Sequence, residues 1–221
     1  PDWVTMVQEL KPEVMRRLEQ SVMDIFSSAD FHKATMRAVA KQAGISFSTI
    51  YAHFGSKERL LFTFVDLSLG KLTERIIDHL QGIEDLKEKL RKVVWLQLDY
   101  YQTHEDLGRI LFMTVPMQTW MADDTFRQRR MIGMFMDVLR QGQASGMLNN
   151  QVRAGVLLDF MMGFVQRSFV MWISRGKSGD LAADAGRMSE MIWRAIANPE
   201  VEHNRSNRHQ QVASKAVGTM R

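Results

Sequence analysis

The chain has 221 residues, of which 45% are hydrophobic and 24% are charged, a composition typical of folded globular proteins and unlike that of disordered chains. It has no cysteine, which excludes disulfide bonds and thiolate metal sites, and its six histidines lack metal-ligand spacing, so we expect neither a metal nor a cofactor. The net charge of +4 is too small by itself to indicate a nucleic acid partner, and the absence of cysteine suits a reducing compartment, the cytoplasm.

The excess positive charge is concentrated near the N-terminus. Residues 31–60 contain five basic side chains and one acidic side chain, which gives this segment a net charge of +4. The rest of the chain is therefore about neutral. A basic run is usually a solvated surface, but a local cluster on an otherwise neutral chain also suits the phosphate backbone of DNA.

Apolar residues recur at helical spacing along most of the chain, and no strand pattern of useful length is present. Glycines and an Asn-Asn pair separate the helical segments. The predicted helices cover residues 6–28, 36–43, 47–53, 57–80, 84–101, 105–114, 123–143, 151–174 and 180–197. Residues 199–221 are rich in polar side chains and are predicted to form a polar tail.

Two short helices in the basic segment are marked by their end signals. Thr35 and Ser46 are suited to cap the N-termini of the helices that follow them, and Gly44 is suited to the left-handed conformation that ends the first helix. Helices joined by so short a turn must cross closely, which accounts for the small side chain of Ala40. This is the helix-turn-helix pattern, whose second helix enters the major groove of DNA.

Residues 35–61 resemble the DNA-binding head of the TetR family of bacterial transcription regulators. The matching residues are Thr35, Val39-Ala40, Ala43-Gly44-Ile45-Ser46, Ser48-Thr49-Ile50-Tyr51, His53-Phe54 and Ser56-Lys57-Glu58. Outside this segment the resemblance is one of helix number and length. It implies an all-α protein with an N-terminal three-helix helix-turn-helix DNA-binding domain (residues 1–56) and a larger helical ligand-binding and dimerisation domain (residues 57–198).

The resemblance also implies roles for residues of the head. Phosphate contacts, which fix the register of a protein on double-stranded DNA, are expected from Thr35, Tyr51, His53 and Lys57. Contacts to base edges or to the adjacent phosphates are expected from Arg37, Ser48 and Thr49. Core packing is the alternative role for Tyr51, and it is the expected role for Phe54.

Phe47 and Lys57 each lie in the first turn of a predicted helix and carry a side chain that is unusual there. Phe47 begins the recognition helix, where the family often has a polar, basic or small residue, so we expect it to contact a thymine methyl group. Lys57 is predicted in the first turn of its helix, where the helix dipole disfavours a cation by about 0.3 to 1 kcal/mol. A bound phosphate would remove that conflict, which favours a phosphate contact for Lys57.

The segment between the head and the last two helices is rich in aromatic residues and in methionine, of which the chain has 17. Flexible thioethers suit a site that re-packs around different apolar guests, although methionine is also an ordinary core residue. Together with the resemblance, this composition predicts an effector pocket. Its expected lining residues are Trp95, Tyr101, Phe112, Met113, Met117, Trp120, Met134 and Phe164.

The last two predicted helices carry more apolar surface than the core of one subunit needs. The resemblance implies that they form a four-helix bundle with their symmetry mates in a homodimer, which suits a palindromic operator; a purely internal core is the alternative. Residues 154–173 are apolar enough to suggest a membrane span, but Asp159 and Arg167 would each cost about 2.5 to 3.5 kcal/mol at bilayer depth. We therefore expect no membrane partner and a helix that protein buries on nearly all sides.

The resemblance as a whole implies a repressor that a small apolar effector releases from its operator. A fatty acyl chain or its thioester is favoured, because the Met-Trp-Ile-Ser-Arg-Gly-Lys sequence and the following Gly-Asp-Leu resemble acyl-CoA-responsive members; an aromatic compound is the alternative. A protein partner in place of the small molecule, and general nucleoid-type DNA binding, also stay open. No catalytic motif is present, so an enzyme is not expected.

Overall fold

The computed structural model describes residues 10–121 and 129–199 of the chain. The first residues of the predicted helix 6–28, part of the predicted helix 123–143 and nearly all of the predicted tail lie outside the described residues. Within the described ranges the protein is built from helices, with no β-strand. The all-α prediction is therefore confirmed.

The N-terminal head consists of three helices, and a long fourth helix follows them. Helix α1 spans Pro12–Ser28, α2 spans Met36–Ala43, α3 spans Phe47–Phe54 and α4 spans Lys57–Leu80. The two predicted caps are present and Ser56 caps α4 in the same way, because the hydroxyls of Thr35, Ser46 and Ser56 each accept a hydrogen bond from the backbone N–H three residues later. Gly44 ends α2 in the left-handed conformation, with φ of 66°.

The body is built around α4 and the helices that follow it. They are α5 (Leu86–Thr103), α6 (Glu105–Arg109), a π-helical turn (Ile110–Thr114), α7 (Met117–Met121), α8 (Arg129–Ala144), α9 (Ala154–Ser174) and α10 (Ala185–Ile196). Helix α10 begins five residues later than predicted. The side chain of Asp180 accepts a hydrogen bond from the N–H of Ala182 at 2.9 Å, and this local turn competes with helix formation.

The predicted helix 105–114 is interrupted, and its second half is wound as a π turn. Gly108 lies just before this turn, and a Cβ atom at this position would be 2.4 Å from the ring of Phe169 in α9. The glycine therefore permits a close approach of α6 to α9 that no larger residue would allow. A π turn changes the direction of the side chains that follow it, and such turns are frequent at functional sites.

The buried core runs continuously from the head into the body. Helix α1 packs against α2 in the head and also against α4, α6 and the π turn. The predicted domain boundary after residue 56 stays a prediction. Helix α1 of the head packs directly against the body, so no gap separates the two parts at α1. The π turn is therefore in direct contact with a helix of the head.

Helix α9 is the most apolar helix of the body, and by length and composition it could cross a membrane. Only 28% of its most apolar window is buried within the chain, so one subunit does not bury this helix on nearly all sides as we expected. Val156 and Phe160 on α9 are 44% and 46% exposed, and Met191 on α10 is 62% exposed. These helices present an apolar face that the described chain leaves uncovered.

Candidate DNA-binding surface and effector cavity

Helix α3 presents a polar and aromatic face to solvent. Phe47, Ser48 and Tyr51 are exposed, whereas Ile50 and Phe54 on the opposite face are buried. The predicted core role of Phe54 is confirmed, and the alternative core role of Tyr51 is wrong, because its side chain is 56% exposed. The exposed side of α3 can therefore lie in a DNA groove without disturbing the head.

Three hydroxyl groups cluster at the N-terminus of α3. The Ser46 oxygen lies 2.9 Å from the Ser48 oxygen and 2.6 Å from the Thr49 oxygen. Each hydroxyl can donate one hydrogen bond and accept others, so the cluster retains capacity for DNA. Thr49 is only half-exposed, which makes Ser48 the better placed of the two for a base edge.

Phe47 belongs to a stack of three side chains that joins α2 to α3. The Arg37 guanidinium lies 4.6 Å from the centre of the Phe47 ring, and the Tyr51 ring lies 5.9 Å from it. A cation above an aromatic face is stabilised by about 0.5 to 1 kcal/mol at an exposed site. Phe47 therefore has a second role besides the expected thymine contact, because its ring orients the Arg37 side chain.

Lys57 is held by atoms of its own chain. Its Nζ donates a hydrogen bond of 2.9 Å to the Phe31 carbonyl oxygen and lies 4.2 Å from the centre of the Phe31 ring. These contacts stabilise the cation in the first turn of α4, so the helix dipole alone does not require a phosphate at Lys57. The ammonium has three N–H groups, and the phosphate contact itself stays a prediction.

His53 is positioned by a hydrogen bond within α3. Its Nδ1 lies 2.8 Å from the carbonyl oxygen of Thr49, and because a carbonyl only accepts, Nδ1 carries a hydrogen. Only Nε2 is left for DNA. A neutral ring has its only N–H at Nδ1, so Nε2 can donate a hydrogen bond to a phosphate only when the ring is positively charged.

The body contains an apolar cavity of about 230 Å³ among α5, the π turn, α7, α8 and α9. Four of the predicted residues line this cavity: Tyr101, Phe112, Met117 and Trp120. The other lining residues were not predicted from the sequence: Gln97, Leu111, Met131, Ile132, Phe135, Leu158, Asp159, Met162, Val165 and Gln166. The spacing of Gln97, four residues before Tyr101 on the buried side of α5, could have identified it as a polar residue in an apolar stripe.

The other four predicted residues do not line this cavity. The Trp95 ring lies 4.6 Å from the Lys92 ammonium, and Met113 is 42% exposed. Met134 borders a separate void of about 20 Å³, and Phe164 borders a groove with Trp172. The structure therefore does not bring these four residues together with the other four, because residues of similar composition face different sides of their helices, and their contact with an effector stays a prediction.

Three contacts join the walls of the cavity to the head and the long helix. The Thr114 hydroxyl donates a 2.7 Å hydrogen bond to the carbonyl oxygen of Phe26 in α1, and the Thr114 carbonyl accepts one from Phe31 N–H at 3.3 Å. On the other side, the Trp120 ring lies 4.9 Å from the ring of Phe62 in α4. Thr114 and Trp120 of the segment 110–121 therefore contact α1 and α4, two helices that pack with the rest of the head.

Comparison with known proteins identifies the class to which this fold and head belong. The sequence pattern described as "Bacterial regulatory proteins, tetR family" matches residues 23–63, the end of α1 through the start of α4. The head belongs to the TetR family. The resemblance inferred from residues 35–61 is thereby confirmed, and the chain is a DNA-binding transcription regulator like its relatives, which are not enzymes.

Several relatives match both the head and the body of this chain. The fatty acid metabolism regulator protein of Bacillus subtilis is 19% identical over 194 residues, which are 87% of this chain and 100% of that protein. The nucleoid occlusion factor SlmA of Marinobacter nauticus is 22% identical over 193 residues, which are 83% and 97% of the two chains. The transcriptional regulator FadR from Bacillus subtilis, solved in complex with stearoyl-CoA, is 18% identical, with a TM-score of 0.70 over 80% of this chain and 96% of that one.

Proposed function

We propose that this TetR-family protein is a cytoplasmic repressor that a small apolar effector releases from a palindromic operator. The observation that carries the proposal is the position of the apolar cavity, whose walls continue into the Thr114 and Trp120 contacts with α1 and α4. An effector that separates these walls must move elements that hold the recognition helix.

The proposed DNA contacts use the exposed side of the head. Thr35, Tyr51 and His53 would bind phosphates, with Lys57 as a further contact through the N–H groups that Phe31 does not use. Arg37 and Ser48 would read base edges, with Thr49 in support, and Phe47 would both hold Arg37 and meet a thymine methyl group. The net charge of the basic segment favours this side for DNA.

The proposed homodimer would bury the apolar face of α9 and α10. Val156, Phe160 and Met191 are exposed apolar side chains on these two helices, and large exposed apolar patches mark interfaces. A two-fold dimer presents two recognition helices to two half-sites, and this symmetry requires an operator that is a palindrome or close to one.

A fatty acyl thioester is the effector that we favour. The cavity is lined mainly by aliphatic, aromatic and methionine side chains, and a relative of the same fold was solved in complex with stearoyl-CoA. Because the cavity is small, we expect α7 and the π turn to move outward when a long chain enters. An aromatic compound is the alternative guest for the same walls.

The second candidate is a role with a protein partner in place of a small effector. It is supported by the similarity to SlmA of Marinobacter nauticus, which is described as a nucleoid occlusion factor. The two candidates differ in the use of the cavity. An effector-responsive regulator must bind its effector there, whereas a protein-partner role has no need for the cavity.

The experiment that tests the proposal begins with selection of genomic DNA fragments bound by the purified protein at physiological salt. We expect a small set of fragments sharing a palindrome, bound about 10³ to 10⁷ fold more tightly than random DNA. The Arg37→Ala variant should lose preference at one position in each half-site, and Arg153→Ala, far along the chain from the head, serves as the control. Equal binding of selected and random fragments would instead indicate a nucleoid-type protein.

A further inference from the structure

The wall of the cavity contains a buried hydrogen-bond acceptor that has no donor. Gln97 is 1% exposed, and its Oε1 atom is buried without a hydrogen-bond partner among the described residues. The residue lies on α5 between the buried Leu96 and Leu98, and its side chain lines the cavity. The last torsion of a glutamine side chain is broad, so the amide can turn its oxygen toward a bound molecule. Gln97 therefore offers an acceptor to a guest of the cavity.

An unpaired acceptor in such a place is unfavourable. The large majority of buried polar side-chain atoms in folded proteins form a hydrogen bond, because the bonds that they made to water are otherwise lost without replacement. The described lining residues are mainly aliphatic, aromatic and methionine side chains, and none of them is lysine, arginine or histidine. A single water is a poor substitute, since a buried water usually makes about 2 to 4 hydrogen bonds to polar groups. The unpaired oxygen therefore indicates a donor on the effector itself.

The charges around the cavity restrict the kind of donor. Asp159 is the single charged residue among the described lining residues, and it is exposed. Burial raises the pKa of the Tyr101 hydroxyl far above its ordinary value, so this residue adds no charge. An ammonium group beside Gln97 would exchange its hydration for one neutral amide oxygen, and an uncompensated buried charge is much more costly than a buried neutral group. A neutral donor is therefore favoured, and a carboxylate, which only accepts, is unsuitable.

We propose that the Oε1 atom of Gln97 accepts a hydrogen bond from a neutral hydroxyl group on an otherwise apolar effector. The inference rests on the proposed effector function of the cavity and adds the chemical group that is recognised. A hydroxylated acyl chain and a hydroxylated aromatic compound both carry such a donor. The oxygens of esters, thioesters and ethers only accept hydrogen bonds, so they cannot pair with this atom.

The test compares 1-octanol with its isomer 1-methoxyheptane, which has the same size but no hydrogen-bond donor. Dissociation constants are measured by calorimetry for wild-type protein and for the Gln97→Met and Gln166→Met variants. We expect Gln97→Met to weaken the binding of 1-octanol by about 2 to 12 fold, the effect of one neutral hydrogen bond, and to leave 1-methoxyheptane unchanged or tighter. Gln166 lines the same cavity but is half-exposed, so its variant is the matched control and should change both constants by less than about twofold.

Two further measurements separate recognition from other effects. The Gln97→Met variant should be as stable toward denaturant as wild type or more stable, since an unpaired amide is replaced by an apolar group of similar size. Octylamine, a cation at neutral pH, should bind wild-type protein at least about tenfold more weakly than 1-octanol, because its charge must be desolvated. The first measurement excludes loss of folding as the cause of weaker binding, and the second tests whether the donor must be neutral.

The outcomes distinguish this inference from the function on which it rests. If both probes bind but Gln97→Met leaves 1-octanol unchanged, Gln97 does not recognise the hydroxyl group, although the cavity remains an effector site. Weaker binding of 1-methoxyheptane to Gln97→Met would show that the amide presents its N–H instead, and octylamine that binds more tightly than 1-octanol would overturn the choice of a neutral donor. If neither probe binds wild-type protein, the effector function and the inference are both contradicted.

Discussion

The contact of Thr114 with α1 leads to a specific prediction about effector response. The Thr114 hydroxyl donates to the carbonyl oxygen of Phe26, which lies in the last turn of α1, where carbonyl groups have no partner within the helix. A guest that pushes the π turn outward must break this bond. Replacing Thr114 by valine keeps the shape of the side chain and removes the hydrogen bond, so it lowers the free energy needed for that movement.

The magnitude follows from the value of one hydrogen bond. A neutral hydrogen bond contributes about 0.5 to 1.5 kcal/mol, which corresponds to about 2 to 12 fold in an equilibrium constant. The Thr114→Val variant should therefore bind effector about 2 to 12 fold more tightly than wild type and should be released from its operator at correspondingly lower effector concentrations. Its free energy of unfolding should fall by a similar amount.

The assay is titration of the DNA-free protein with stearoyl-CoA, followed by denaturant unfolding of the same samples. Thr73→Val is the matched control, because the Thr73 hydroxyl bonds only to Leu69 within its own helix, at 2.8 Å. It should lower stability without tightening effector binding. Effector affinity of Thr114→Val that is equal to or weaker than that of wild type would show that this bond is not broken on binding, and the reasoning would fail.

Three other substitutions test the head and the fold. Lys57→Ala should weaken binding to all DNA sequences alike and reduce the slope of log affinity against log salt by about 0.9, and an unchanged slope would remove Lys57 from the phosphate contacts. Replacing half-site thymines by uracil should weaken wild-type protein but not Phe47→Ala, and indifference of both proteins would exclude the methyl contact. Gly108→Ala should lower the free energy of unfolding by about 1 to 3 kcal/mol, measured by denaturant titration, because its Cβ would collide with the Phe169 ring; a change below that range would mean that the ring shifts easily.

The head could be predicted from the sequence almost residue by residue. The bounds of α2 and α4 match the prediction, and α3 differs by one residue, because caps such as Ser46 and the left-handed Gly44 are local signals that act within one turn of the chain. The stack of Arg37 on Phe47 could not be predicted in the same way. It depends on the crossing of two helices, which brings residues ten positions apart into contact.

The body was harder to predict because its features depend on tertiary packing. The π turn arises where Gly108 approaches Phe169, and nothing in the local sequence distinguishes it from an ordinary helix. Composition indicated an apolar pocket but did not indicate which face of each helix lines it, so Trp95 and Phe164 were placed with Tyr101 although they lie elsewhere. Gln97 was not predicted because the expected pocket residues were chosen by their aromatic or methionine side chains.

The central claim is that occupation of the cavity weakens operator binding, and one measurement tests it most directly. The dissociation constant for a selected operator is determined with and without saturating stearoyl-CoA, after titration has shown that the compound binds and that Phe112→Ala, at the cavity wall, weakens its binding. The account predicts a loss of operator affinity of about 5 to 150 fold, equivalent to a coupling of about 1 to 3 kcal/mol. Operator affinity that stays within about twofold of its value without the bound compound would contradict the account and favour the role with a protein partner.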